Sequence, residues 1–259
     1  MELKLPIQVA RSYKSGSQKT RVMTESWVNN SICCPNCGTS LTSFETIKPV
    51  ADFYCRRCSE EYELKSTSGT IGKKVVDGAY STMIERLSAN NNPHFFFLKY
   101  DKTTFEVRDF LTIPKYFFVA SLIEKRKPLN PTARRAGWIG CNIILHNIPE
   151  FGKIFYVQDG VAKSKSEVLG RWKRTGLVGS TQDVEAKGWL LDILVCVERI
   201  GRAEFSLEDM YAFEAHLKAK HPHNNNVQAK IRQQLQFLRD RGIVDFAGRG
   251  KYRMKPSAP

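Results

Sequence analysis

Four cysteines in two Cys-x-x-Cys pairs, Cys34 with Cys37 and Cys55 with Cys58, carry the clearest chemical pattern in the chain. Thiolates two residues apart on a tight turn can take two corners of one tetrahedron. Two such pairs close a four-cysteine zinc site with no open position, and a closed site is structural. Pro35 and Gly38 suit the first turn. Cys33 could ligate in place of Cys34, but Cys34 keeps the two-residue spacing. The seven cysteines are odd in number, and the N-terminus has no basic region followed by an apolar stretch. Both facts argue against a disulfide scaffold and a secretory leader, so a cytoplasmic location is expected.

A second pattern is threaded through the first. Asp52 precedes the second cysteine pair, and Glu63-Leu64-Lys65 follows it. The stretch 50–55 reads as a strand entering the knuckle, and 61–66 as the strand returning. Side chains alternate along a strand. Val50, Asp52 and Tyr54 then share a face, as do Glu61, Glu63 and Lys65, with Tyr62 and Leu64 turned away. A hairpin of this kind brings Asp52 and Glu63 together with Lys65 beside them. Neighbouring carboxylates repel unless a cation joins them. Mg2+ takes a few hard oxygen ligands and keeps its waters. It lowers the pKa of an attacking water and neutralises charge on a phosphate, while a lysine orients that water. These are the needs of phosphodiester hydrolysis. An Asp followed after ten residues by Glu-x-Lys is common, and a solvated strand face explains it equally well. Its place around the cysteine hairpin and the charge of the chain favour a nuclease.

The formal charge of +14 and a pI of about 9.5 point to a polyanionic partner, with nucleic acid first. The excess is unevenly placed: from His216 onward the chain has ten Lys and Arg against Asp240 and Asp245 alone. The 42% hydrophobic and 25% charged content is that of a globular protein able to bury its own cores. The longest apolar runs, 95–98 and 190–197, are far too short to cross a bilayer.

The elements that must position these residues read as an α/β domain over 1–180 and a second domain over 181–259. A helix is expected over 17–29, with Val22, Met23 and Trp27 inward, and another over 77–90, broken by Asn91-Asn92-Pro93. Residues 95–100, 105–113 and 154–158 read as strands of a mixed sheet. The stretch 126–141, with two prolines, Arg134, Arg135 and Trp138 between glycines, reads as an exposed loop. Guanidinium groups suit phosphates and guanine edges, and an indole offers a flat face to a base or a methyl group. Local packing of Trp138 is the plainer alternative. Residues 163–179 are polar, basic and weakly periodic, and read as a loop and interdomain linker.

In the second domain, helices are expected over 184–200, from Ser206 to about 218, and over 227–241, ended by Gly242. A hairpin follows around 247–250. Three helices and a hairpin describe a winged helix. Such a domain enters the major groove by the N-terminal end of its third helix, here Asn225, Asn226, Gln228, Lys230 and Arg232. Arg249, Lys251 and Arg253 on the wing would meet phosphates.

The stretches Cys34-Pro-Asn-Cys-Gly, Val50-Ala-Asp-Phe-Tyr-Cys, Glu63-Leu-Lys65, Asp77-Gly-Ala-Tyr, Pro131-Thr-Ala-Arg-Arg-Ala-Gly-Trp-Ile-Gly-Cys141, Leu207-Glu-Asp-Met-Tyr and Gly248-Arg-Gly-Lys-Tyr-Arg253 together resemble the DpnI family of methylation-dependent restriction endonucleases. The resemblance covers nearly the whole chain. It implies a PD-(D/E)xK nuclease core with an embedded four-cysteine zinc site, plus a C-terminal winged helix. It implies Mg2+-dependent cleavage of double-stranded DNA at GATC carrying N6-methyladenine, within a restriction system; a monomer is expected. By the resemblance Asp52, Glu63 and Lys65 are catalytic, Trp138 helps sense the methyl groups, and the winged helix binds the same methylated sequence. Ala51 departs from the proline that precedes the Asp in the family motif, at a position that is not a ligand. The alternative from another class is a zinc and winged-helix reader that binds DNA without cutting it. Two acids on a sheet facing phosphate would serve such a reader badly.

Overall fold

The computed structural model describes residues 1–45, 51–89, 92–181 and 183–255. Val50, expected in the strand carrying Asp52, and Asn90 and Asn91, expected at a helix end, lie outside the described residues. The chain divides into two compact units: Met1–His146 with Gly152–Thr175, and Asn147–Phe151 with Gly176–Pro259.

The first unit is built on a sheet of seven strands: β1 (Thr42–Ser43), β2 (Phe53–Tyr54), β3 (Glu61–Thr67), β5 (His94–Tyr100), β6 (Val107–Ile113), β9 (Ile154–Gln158) and β10 (Val161–Ala162), in that order. Only β3 and β5 run parallel, with Glu63 opposite Phe95 and Lys65 opposite Phe97. Strand β5 is almost wholly buried, as its run of three phenylalanines requires. Helix α1 (Gly16–Ser31) buries Met23, Thr24, Trp27 and Val28, a stripe at helical spacing that leaves Val22 half-buried. Its Trp27 meets Phe110 edge to face at 5.3 Å, and Tyr62 stacks on Phe96 at 4.6 Å.

Residues 163–179 do not form a linker. They form helix α3 (Lys165–Gly179), opened by the Ser164 hydroxyl, which accepts from the Glu167 N–H at 3.1 Å. Val168, Trp172 and Thr175 are buried at four- and three-residue spacing. Trp172 packs edge to face on His94 at 4.8 Å. With Val178 also buried, the stripe has four positions among charged residues, a faint periodic signal in sequence, and tertiary packing decides the structure.

A smaller antiparallel sheet joins β4 (Lys74–Ala79), β8 (Gly140–Ile144) and β7 (Ile123–Lys125), in that order. Asp77 therefore lies in a strand, where a helix was expected, and helix α2 (Tyr80–Ser88) starts three residues later. The β-branched pair Val75-Val76 and the pairing with β8 outweigh the capping character of Asp-Gly. Asp77 pairs with Cys141 and Ala79 with Gly140, so Gly78 is an extra residue, a bulge in β4. The loop expected over 126–141 holds up to Ile139, and Gly140 and Cys141 begin β8.

The second unit contains α4 (Val184–Ile200), β11 (Glu204–Ser206), α5 (Leu207–Tyr211), α6 (Glu214–Lys220), α7 (Val227–Asp240), β12 (Val244–Gly248) and β13 (Lys251–Met254). The strands form a sheet in the order β11-β13-β12. Asp183 caps α4 by accepting from the Ala186 N–H at 2.6 Å, and Gly201, with φ of 68°, ends it. Ser206 and Asp209 form a reciprocal capping box on α5. The single helix expected from Ser206 to about 218 is two helices. The turn between them lets Met210 and Leu217 both be fully buried. Among the described residues no helix is long and apolar enough to cross a membrane.

Candidate active site and metal centre

The two cysteine knuckles repeat one backbone pattern. The Gly38 N–H donates to the Cys34 carbonyl at 2.8 Å, and the Ser59 N–H donates to the Cys55 carbonyl at 2.9 Å. The Cys34 N–H donates to Thr39, and the Cys55 N–H to Glu60, one residue further on in each case. Gly38 and Ser59 both have positive φ, 74° and 59°. Each turn thereby aims its two thiols to the same side. The Sγ atoms of Cys34, Cys37, Cys55 and Cys58 all lie within 4.8 Å of one another. The closest pairs, Cys37 with Cys55 and Cys34 with Cys58, are 3.4 and 3.5 Å apart. Four sulfurs about 2.3 Å from a central ion would be about 3.8 Å apart, so the cluster could bind a metal such as zinc. Burial pushes the Cys34 and Cys58 thiols up. Four thiolates this close need a cation to ionise together. Cys33 is outside the cluster, and its carbonyl accepts from the Tyr156 hydroxyl at 2.7 Å. The Tyr62 hydroxyl lies 3.2 Å from Cys34 Sγ, so a core residue of β3 also supports a ligand.

Antiparallel pairing of β2 with β3 places Asp52 beside Glu63. The Asp52 N–H donates to the Tyr62 carbonyl at 2.9 Å. The Asp52 carboxylate accepts the Leu64 N–H through Oδ2 at 2.7 Å. Asp52 and Glu63 line one cavity of about 530 Å³ with Thr20, Arg21, Glu25 and Ser66. Alternation along β3 turns Tyr62 into the core and leaves Glu63 and Lys65 on the other face. There the Lys65 Nζ donates to Glu63 Oε1 and to Asp77 Oδ1, each at 2.5 Å. The three side chains are 21%, 18% and 8% exposed. Burial pushes the Glu63 carboxyl up to about 7, Lys65 opposes that, and Asp77 and Asp52 add to it. Burial also works against the Lys65 ammonium, but Glu63 and Asp77 outweigh it and the pKa rises.

Sequence reasoning does not reach Asp77 or Glu25 as site residues, and it reads Arg21 only as a charge outside the inner stripe of the first helix, with a solvated face as the plainer reading and phosphate contact as the other. Asp77 sits behind the helix expectation, although Asp77-Gly78 after two β-branched residues is the residue pattern of a bulge. Arg21 and Glu25 are an i,i+4 ion pair on α1, Nε to Oε1 at 2.6 Å, indistinguishable in sequence from any surface pair. Their helix carries them into the cavity.

Arg134 and Arg135 are exposed, and Trp138 is half-buried. The Arg135 guanidinium lies 5.0 Å from the centre of the indole ring. A Cβ built on Gly140 would come within 2.8 Å of the ring, so the glycine is what lets Trp138 lie down on β8. In the second unit Asn225, Asn226, Gln228 and Arg232 are exposed and Lys230 half-exposed. The Gln228 amide donates to Glu214 at 2.7 Å, Arg232 to the Tyr211 hydroxyl at 2.7 Å, and Lys218 to the Asn225 side chain at 2.9 Å. On the hairpin Arg249 and Lys251 are exposed, while Arg253 is paired with Glu204.

Residues 1–181 match the model of the DpnI, or Dam-replacing, family, and residues 185–254 match that of its Dam-replacing HTH domain. The chain therefore belongs to the Dam-replacing family, whose members are methylation-dependent proteins that act on DNA.

Proposed function

We propose that the protein is a Mg2+-dependent restriction endonuclease that hydrolyses double-stranded DNA at GATC sites carrying N6-methyladenine. Residues 1–180 would form a PD-(D/E)xK nuclease domain with a structural zinc site, and residues 181–259 a winged-helix DNA-binding domain, acting as a monomer. The observation that carries the reading is that Asp52 and Glu63 line one cavity, with Lys65 Nζ 2.5 Å from Glu63 Oε1, in a chain of this family.

Asp52 and Glu63 are the residues that would hold Mg2+, and the four cysteines those that would hold zinc. The dication, when bound, supplies charge neutralisation at the phosphate and a more acidic water. The chain's own residues do the rest. The Leu64 N–H fixes the Asp52 carboxylate by one oxygen and leaves the other for the cavity. Glu63, paired with Lys65 and lining the cavity beside Asp52, would be the second carboxylate available to the dication. Lys65 is held charged and can donate to the attacking water or to a phosphate oxygen. Hydrolysis joins the water oxygen to phosphorus and releases one ester oxygen. Arg134 and Arg135 suit the backbone, and Trp138 offers a face to a methyl group.

In the second domain α7 would enter the major groove, with Asn225, Asn226, Gln228, Lys230 and Arg232 facing bases and Arg249, Lys251 and Arg253 facing phosphates. The exposed bonds that Gln228, Arg232 and Arg253 make within the unit are worth about 0–1 kcal/mol each and yield readily to DNA.

The test is digestion of the same plasmid from adenine-methylating and non-methylating hosts in Mg2+, with Asp52→Ala as control. Cutting of the methylated plasmid alone is expected, with Asp52→Ala inactive but still binding. Cutting of neither plasmid would sink the nuclease reading in favour of a DNA reader. Cutting of both would remove the methyl dependence.

A further inference from the structure

We propose that Asp77 is a positioning residue of the cleavage centre, acting through Lys65. The inference rests on the nuclease reading and goes beyond the Asp52, Glu63 and Lys65 set.

Lys65 Nζ has three donors, and two of them go to carboxylates on different sheets: Glu63 on β3 and Asp77 on β4. A tie between the sheets would need only one acid. The second has a purpose if Glu63 must give up Lys65. Glu63 Oε1 cannot fully serve both an ammonium and a dication shared with Asp52. With Glu63 engaged by a bound dication, a lysine held by Glu63 alone would lose its carboxylate partner. Asp77 retains it from the opposite side.

The backbone is shaped for this role. The bulge at Gly78 is of the kind that re-aims a side chain, and here it points Asp77 at Lys65. The Gly78 N–H donates to the same Asp77 Oδ1 at 2.7 Å, so the carboxylate is fixed by its own bulge before the lysine arrives. The Asp77 side chain is 8% exposed, the most buried of the three.

The experiment uses the full chain as wild type, Asp77→Asn, Asp77→Ala and Asp77→Glu. Single-turnover cleavage of a methylated GATC duplex in Mg2+ is measured. Equilibrium binding of the same duplex in Ca2+ and thermal unfolding are measured beside it. A lysine misplaced by about 1 Å costs on the order of 100-fold. Asp77→Asn and Asp77→Ala are expected to slow cleavage by about 10- to 100-fold, with duplex affinity within about twofold of wild type and Asp77→Glu recovering part of the rate. Cleavage by Asp77→Asn within about twofold of wild type would overturn the proposal and leave the nuclease reading standing. So would a loss of rate matched by an equal loss of binding or of folded protein, which marks a merely structural tie. A wild-type chain that cuts nothing would overturn the nuclease reading itself, and this proposal with it.

Discussion

The cysteine cluster and the Lys65 centre share the β2–β3 pair but are assembled by opposite means. The cluster is local. Each knuckle sets its own two thiols through hydrogen bonds spanning five or six residues, and the two knuckles use the same bonds. The Lys65 centre is non-local. Asp52 and Glu63 meet across an antiparallel pair, and Asp77 reaches Lys65 from a different sheet. Local assembly makes a part that forms whenever its metal is present. Non-local assembly makes a part that exists only when the surrounding strands are in register. Since β2 is two residues long and runs directly into Cys55, the register at Asp52 depends on the cluster.

The comparison breaks most severely if the cluster can be lost without consequence. Cys55 is fully buried, and its N–H closes the second knuckle onto Glu60. Structural zinc contributes about 10 kcal/mol or more to small folded units. Cys55→Ser, or stripping of the metal by a chelator, should lower the unfolding midpoint sharply and abolish cutting. Asp52→Ala should abolish cutting with the midpoint kept. A Cys55→Ser chain that is metal-free by mass spectrometry and still cuts at the wild-type rate would show that the knuckle does not hold the acids.

The same contrast sets what could be seen in the sequence. The cysteine spacing was legible because its geometry is written into a few consecutive residues. The Asp52 and Glu63 faces were legible through alternation along two adjacent strands. Asp77 was not, because only the pairing of β4 with β8 makes it a strand residue, and β8 lies more than sixty residues away in the chain. Helix α3 was hidden for the same reason. Its Trp172 finds His94 and Tyr62 only in the folded unit. In the second unit the helix start at Ser206 could be read residue by residue, whereas the Asp183 cap was not. The strand β11 could not, since it exists only by pairing with β13.

A link between the two regions gives a smaller, pH-dependent effect. Glu60, next to the second knuckle, accepts from His94 Nε2 at 2.8 Å and pairs with Lys115 Nζ at 3.2 Å. The Lys115 N–H donates to His94 Nδ1 at 2.9 Å, which fixes the proton of the neutral ring on Nε2. Tyr62, Trp172 and Tyr116 close around the imidazole. Burial lowers the His94 pKa against the pull of Glu60. A histidine depressed in the folded state binds fewer protons there than in the unfolded chain. Its contribution is therefore present above about pH 6.5 and is lost as pH falls below it, at up to about 1.4 kcal/mol per unit. The stability difference between wild type and His94→Phe in urea unfolding should shift against wild type from pH 7 to pH 5.5, while the raised Glu63 carboxyl contributes with the opposite sign in both chains. A difference that stays constant across that range would show that His94 is not the group that titrates.

The smallest effect distinguishes the two knuckles from each other. Gly38 and Ser59 occupy equivalent turn positions with φ of 74° and 59°, but only one is a glycine. An L residue in the left-handed region is strained by about 1–2 kcal/mol, partly offset by its lower freedom in the unfolded chain. Ser59 is exposed, so replacing it removes little packing. Ser59→Gly should raise stability by about 0.5 kcal/mol and leave cutting unchanged. A Cβ on Gly38 would lie 2.7 Å from Lys165 Cε, the far end of an exposed, flexible side chain that can swing away, so Gly38→Ser should destabilise mainly through the positive φ. Equal and opposite shifts in the two variants would mean that backbone strain alone separates the knuckles. A larger loss at Gly38 would show that α3, which supplies Lys165, also fixes the first knuckle in place.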